Sequence, residues 1–80
     1  MELRVEDNGR GGLPAGTRTY IENPYGYCIA AFTTIREGER AIRQCQKEVL
    51  PGSWEADHGG YWLGYCTPPV ARQRHESTLT

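Results

Sequence analysis

The segment from residue 35 to residue 50 most constrains the fold, because it reads as a single amphipathic helix with both ends marked. Thr34 and Glu37 have the spacing of a capping box, in which the two side chains satisfy backbone N–H groups of the first helical turn. Pro51 and Gly52 follow the segment, as expected just beyond a helix. Small and apolar residues fall on one stripe, which we expect to pack on a sheet. The members of the stripe are Gly38, Ala41, Ile42, Cys45 and Val49, and Ile35 lies at its edge.

Three strands are predicted before this helix. Residues 2–6 alternate polar and apolar side chains, whereas residues 7–16 hold four glycines and a proline and should form a flexible loop. Residues 17–23 are rich in Thr, Tyr and Ile, and the turn at 23–26 predicts a hairpin with its return strand at 27–33. The return strand is nearly continuously apolar, which favours a position in the middle of the sheet.

A second hairpin is predicted after the helix, with strands at 53–57 and 61–67 joined by the glycine turn at 58–60. Residues 68–80 begin with two prolines and are poor in apolar residues, so we expect a disordered tail. The predicted domain spans residues 1–67. Its fold class is α+β, with a single antiparallel sheet of four to five strands and one amphipathic helix on one face, in the order β-β-β-α-β-β.

The short chain favours binding over catalysis. Eighty residues support one thin core, and a thin core leaves little room for an enclosed substrate pocket. The net charge of −1 gives no overall attraction to nucleic acid or to an anionic membrane. Neither a signal peptide nor an apolar run of membrane-spanning length is recognisable, so we expect a cytoplasmic protein. We also expect a monomer or weak homodimer that needs no cofactor.

The three cysteines, Cys28, Cys45 and Cys66, are an odd number at spacings that fit no closed disulfide framework and no paired zinc motif. Buried free thiols are the favoured interpretation. The alternative is a zinc site that combines them with His58 or His75.

The outer face of the helix carries the most informative charge pattern, because four basic residues recur three or four positions apart, opposite the apolar stripe. We call them the basic face: Arg36, Arg40, Arg43 and Lys47. One interpretation is a solvated surface with an ion pair between Glu39 and Arg43. The other is a recognition face for phosphates or for an acidic protein surface.

Aromatic residues on or beside the two hairpins form a second group: Tyr20, Tyr25, Tyr27, Trp54, Tyr61, Trp62 and Tyr65. One helix covers only one face of a sheet, so some of these rings should be exposed, as is typical of protein interfaces and of stacking platforms for nucleic acid. The alternative is cross-strand packing that shields the second face. We select Tyr20, Tyr25, Trp54 and Trp62, together with the basic face, as candidate partner-binding residues.

Catalysis has only weak support. Asp57, His58 and Cys66 supply the parts of a nucleophilic site, but Cys66 falls in a predicted strand and His58 in a glycine turn, away from a helix N-terminus. The glycine-rich loop at 8–12 lacks the Lys-Ser/Thr ending and the following helix of a phosphate-binding loop.

The segment from Thr33 to Ala41 and the aromatic strand Tyr61 to Tyr65 lie within a strand, capped helix, hairpin order at residues 27–67. In this layout, in size, in near-neutral composition and in its odd cysteine count, the chain resembles small phage-encoded anti-CRISPR proteins, particularly inhibitors of type I systems. The resemblance implies a stoichiometric inhibitor that docks on a CRISPR effector complex and blocks target DNA binding or nuclease recruitment. Many such inhibitors are strongly acidic DNA mimics, and this chain, at −1, departs from them.

We therefore expect a non-enzymatic protein-binding inhibitor of phage type that uses the basic face, the aromatic residues or both. The alternative is a small nucleic-acid-binding module, in which the basic face meets phosphates and the tyrosines stack on bases.

Overall fold

A computed structural model describes residues 1–71 as an antiparallel sheet of four strands with a helix packed against one face. The elements in chain order are β1 (Glu2–Leu3), a 3-10 turn (Asp7–Gly9), β2 (Thr19–Glu22), β3 (Cys28–Phe32), α1 (Ile35–Lys47), α2 (Trp54–Asp57) and β4 (Trp62–Tyr65). The strands lie side by side in the order β1-β3-β2-β4. The predicted fold class, α+β with one antiparallel sheet and one amphipathic helix on one face, is confirmed.

The predicted cap begins α1. The Oγ1 atom of Thr34 accepts a hydrogen bond from the backbone N–H of Glu37 at 3.1 Å, and the Thr34 hydroxyl donates to Oε1 of Glu37 at 2.8 Å. The Glu37 carboxylate thus accepts from the hydroxyl of Thr34, whereas the predicted capping box would have it accept from the backbone N–H of Thr34. The helix ends at Lys47, before the predicted end at residue 50, and Glu48 forms its C-cap.

Gly38 allows α1 to approach the sheet closely. It is buried within α1, and a Cβ atom at this position would lie 2.5 Å from Cβ of Thr19 and 3.1 Å from Cδ1 of Leu63. Thr19 is fully buried in β2, and its hydroxyl donates to the carbonyl of Thr34 at 2.8 Å. Strand β2 therefore meets α1 both at the N-cap and one turn later.

The first hairpin forms where the sequence predicts it. Asn23 organises the turn, since its Oδ1 atom accepts from the N–H groups of Tyr25 at 3.0 Å and Tyr27 at 2.9 Å. The two strands pair antiparallel, with a bulge after Ile21. Strand β3 is central, as predicted, and β2 is the other central strand of the sheet.

The second predicted hairpin is wrong. Residues 53–57 form the short helix α2, because Ser53 acts as an N-cap whose Oγ atom accepts from the N–H of Ala56 at 3.2 Å. With no strand at 53–57, β4 pairs with β2, placing Tyr65 opposite Thr19 and Trp62 opposite Glu22. The observed order is therefore β-β-β-α-α-β.

Hydrogen bonds beside β2 continue beyond β4. The N–H of Cys66 donates to the carbonyl of Arg18 at 2.8 Å, and the N–H of Val70 donates to the carbonyl of Thr17 at 2.9 Å. The carbonyl of Val70 also accepts from Gly16 at 2.9 Å, so backbone pairing reaches three residues past the predicted domain boundary at 67. Of the predicted tail at 68–80, residues 72–80 lie outside the described residues. Within residues 1–71, none of the helices combines the length and the apolar character needed to cross a membrane.

The substitution Gly38→Ala is expected to destabilise the fold by about 1–2 kcal/mol, because overpacking against β2 outweighs the gain of about 1 kcal/mol in helix propensity. Urea unfolding followed by far-ultraviolet circular dichroism measures this change. Gly11→Ala is the matched control, because a Cβ atom at exposed Gly11 would meet nothing within 4 Å. A Gly38→Ala variant as stable as the control variant would contradict the close approach of helix and strand.

Candidate functional site

The basic face of α1 points into solvent. All four members, Arg36, Arg40, Arg43 and Lys47, are exposed. Within residues 1–71 the ion pair between the Met1 ammonium group and Glu37 is the only one formed, so these cations have no carboxylate partner in the described part of the chain. The pair between Glu39 and Arg43, which would have indicated a merely solvated surface, is not formed there.

The carboxylates near the basic face bind other groups. Glu37 accepts hydrogen bonds at the N-cap, and the Oε2 atom of Glu39 accepts from the Tyr65 hydroxyl at 3.0 Å. The Oε2 atom of Glu48 accepts from Nε2 of Gln44 at 3.3 Å. The acidic side chains are thus held by neutral or terminal donors, and the basic face presents positive charge that a partner can contact.

Three rings stack at the end of the molecule where the first hairpin turns. The rings of Tyr25 and Trp54 lie 4.8 Å apart at 12°, and those of Trp54 and His58 lie 3.8 Å apart at 20°. Trp54 and His58 are four residues apart, and α2 therefore brings them together on one side of a helical turn. We call these rings the aromatic stack; Tyr25 is 56% exposed and Trp54 is 47% exposed.

A carboxylate is attached to the aromatic stack. The Tyr25 hydroxyl donates to Oε2 of Glu55 at 2.6 Å, and this hydrogen bond holds the pKa of Glu55 below its ordinary value. Glu55 also lines an open cavity of about 250 Å³, which we call the acidic cavity. Its lining consists of Glu48, Val49, Leu50, Ser53, Glu55 and Tyr61.

The other two candidate aromatic residues form a separate pair on the sheet. The rings of Tyr20 and Trp62 meet edge to face with centroids 6.1 Å apart. Tyr20 is half-buried because its ring crosses Gly64, where a Cβ atom would lie 2.5 Å from Cε1 of the ring. Trp62 remains 50% exposed. Tyr20 thus packs across neighbouring strands, as one of the two predicted alternatives has it, whereas Trp62 still presents an exposed surface.

The residues of the nucleophilic alternative are not assembled into one site. His58 stacks on Trp54 and its Nδ1 atom lies 2.8 Å from the Trp54 carbonyl, at the hairpin end of the molecule. Cys66 lies beyond the opposite end of β4, where its N–H bonds to Arg18.

All three thiols are free: Cys28 is buried and Cys45 and Cys66 are half-buried. Burial raises the pKa of the Cys28 and Cys45 thiols, which disfavours the thiolate form. Within residues 1–71 no group of three or more His, Cys, Asp and Glu side chains is placed to hold a metal ion, and His75 lies outside the described residues.

Sequence reasoning missed the contributions of Glu48, Glu55 and His58 to this end of the molecule. The signal was present, since Ser53 is a good N-cap and Glu55 and Asp57 favour a helix N-terminus. Interpreting residues 53–57 as a helix would have placed Trp54 and His58 on the same side, but the contact with Tyr25 is non-local and has no sequence signature.

No protein-family model matches the chain, and comparisons with curated proteins and with solved structures likewise find no match. Function must therefore be inferred from the surface chemistry of residues 1–71.

The substitution Tyr25→Phe is expected to raise the pKa of Glu55 toward its ordinary value, because it removes the hydroxyl donor that favours the ionised carboxylate. Titration of the Glu55 side-chain carboxyl carbon by NMR measures the change. Tyr27→Phe serves as the control, since Tyr27 lies in the same turn with its ring beside Arg10, 6.0 Å from the guanidinium carbon. An unchanged Glu55 pKa in the Tyr25→Phe variant would exclude the hydrogen bond in solution.

Proposed function

We propose that the protein is a non-enzymatic binding protein that docks the basic face of α1 on an acidic surface of a protein partner. The observation that carries the proposal is the row of exposed cations on α1, which have no carboxylate partner within residues 1–71. Arginine predominates in the row, and its planar guanidinium group forms bidentate hydrogen bonds with carboxylates. A rigid helix holds these groups at fixed spacing, which favours recognition of a matching set of acidic side chains.

The position of the aromatic stack favours a protein partner over nucleic acid. A base-stacking platform works when cations beside the rings contact the phosphates. Here the Tyr25 hydroxyl binds Glu55, and Glu55 shares the neighbouring cavity with Glu48. The carboxylates of Glu55 and Glu48 disfavour a phosphate backbone beside these rings, whereas exposed Tyr and Trp beside carboxylates suit a protein interface.

The resemblance to small anti-CRISPR proteins suggests a specific partner. We propose that the chain acts in the cytoplasm of a phage-infected cell, where it would bind a subunit of a type I CRISPR effector complex. Its basic face would occupy an acidic surface of that subunit and thereby block target DNA binding or nuclease recruitment. This part of the proposal rests on the resemblance in size and layout.

The double substitution Arg40→Gln with Arg43→Gln is expected to weaken partner binding at least about 30-fold, since two charge-assisted contacts are lost. Co-purification with type I effector complexes and plaque counts on a CRISPR-immune host measure binding and inhibition. Arg4→Gln with Arg10→Gln is the matched control, because it removes the same charge away from α1. Equal binding by both double variants would show that the basic face is not the docking surface.

A separate measurement distinguishes the nucleic-acid alternative. We expect no binding of a fluorescent single-stranded or duplex oligonucleotide in anisotropy titrations at about 50 mM salt, where electrostatic contacts are strong. Tight binding that falls steeply with salt, and that is lost in the Arg40→Gln, Arg43→Gln variant, would instead identify a nucleic-acid-binding module.

A further inference from the structure

A second surface, which differs from the basic face in its residues, lies where the end of α1, helix α2 and the first hairpin turn meet. Large apolar side chains are exposed there: Leu50 is 72% exposed, in addition to the half-exposed rings of Tyr25 and Trp54. Leu50 also forms part of the wall of the acidic cavity, so apolar surface and a concave site are continuous. Exposed Trp and Tyr beside a cavity are the usual composition of an interface hot spot.

The charge of this surface is negative. Glu48 and Glu55 line the acidic cavity, and its lining includes no Lys or Arg. Glu48 accepts from the side-chain amide of Gln44, and Glu55 accepts from the Tyr25 hydroxyl. Both donors are neutral, and within residues 1–71 neither carboxylate is paired with a cation. The hydrogen bond from Tyr25 lowers the pKa of Glu55, which favours its ionised form.

We propose that the acidic cavity binds an arginine side chain presented by a protein partner. The two carboxylates complement a guanidinium group, which has five N–H donors and can bind more than one acceptor at once. The walls formed by Val49 and Leu50 accept the methylene groups of the side chain, and the ring of Tyr61 offers a surface for the planar cation.

Arginine fits this site better than lysine does. A lysine ammonium group is compact and strongly hydrated, and it contacts carboxylates as a point charge. A guanidinium group is planar and weakly hydrated, which suits an open cavity that is bordered by the ring of Tyr61 and by apolar side chains. The site goes beyond the proposed function, because it requires a ligand of opposite charge to the acidic surface that the basic face would contact.

The blocked tripeptide acetyl-Gly-Arg-Gly-amide tests the proposal with the intact protein. The chain has two tryptophans, so Trp62→Phe leaves Trp54, next to the cavity residue Glu55, as the only tryptophan, which can be excited selectively. We expect the arginine peptide to change Trp54 fluorescence in the millimolar range and to shift the amide NMR signals of Glu55 and Tyr61. The same peptide with citrulline, which is neutral and of the same shape, should bind about tenfold more weakly.

Two substitutions locate the binding site. Glu55→Gln and Glu48→Gln preserve side-chain shape and should each weaken binding of the arginine peptide about tenfold, while circular dichroism confirms that the fold is retained. The variant Arg40→Gln with Arg43→Gln should bind the peptide within about twofold of the unsubstituted protein. This variant separates the two surfaces, because it tests the proposed function without altering the acidic cavity.

Three results would overturn the proposal. The first is equal binding of the arginine and citrulline peptides, which would show that charge plays no part. The second is unchanged binding to folded Glu55→Gln and Glu48→Gln variants, which would place the peptide elsewhere. The third is equal or tighter binding of the corresponding lysine peptide, which would exclude selection of a planar cation.

Discussion

The close contact between β2 and α1 at Thr19 and Gly38 is the constraint on which the rest of the structure depends. Thr19 is fully buried, and its hydroxyl satisfies the carbonyl of Thr34 at the start of the helix. Gly38 removes the side chain that would otherwise hold the two backbones apart. Because this contact fixes the rotation of α1 about its axis, the apolar stripe faces the sheet and the basic face must point into solvent.

Local signals identified most of the fold, and non-local pairing decided the remainder. The Thr34 N-cap, the turn at Asn23 and the amphipathic period are encoded within a few residues, and the structure forms each of them. Trp54 was misplaced because an aromatic residue before a glycine turn favours a strand, whereas the Ser53 cap and the acidic first turn favour a helix. Whether β4 pairs with a neighbour in sequence or with β2 depends on which sheet edge is open. The sequence pattern does not contain that information.

The same division applies to the candidate site. The basic face was predictable because it lies on one helix with a regular period, and its four members are exposed. The sequence did not show that the candidate aromatic residues form two separate pairs. Tyr20 and Trp62 meet on the sheet, whereas Tyr25 and Trp54 meet at the hairpin turn. Glu55 is joined to Tyr25 by a hydrogen bond from the Tyr25 hydroxyl, a contact between residues far apart along the chain. The result is a molecule of nearly neutral total charge with a basic face on α1 and an acidic, aromatic surface at one end.

The pairing of β4 with β2 also has a consequence for the order of folding. The first hairpin and the capped helix can form from neighbouring residues, whereas β4 closes the sheet only after the chain has crossed α1 and α2. The interactions of Trp54 with Tyr25 and of Tyr65 with Glu39 also join distant parts of the chain. We therefore expect the acidic, aromatic surface to be completed late, so that an incompletely folded chain displays the basic helix before it acquires that second surface.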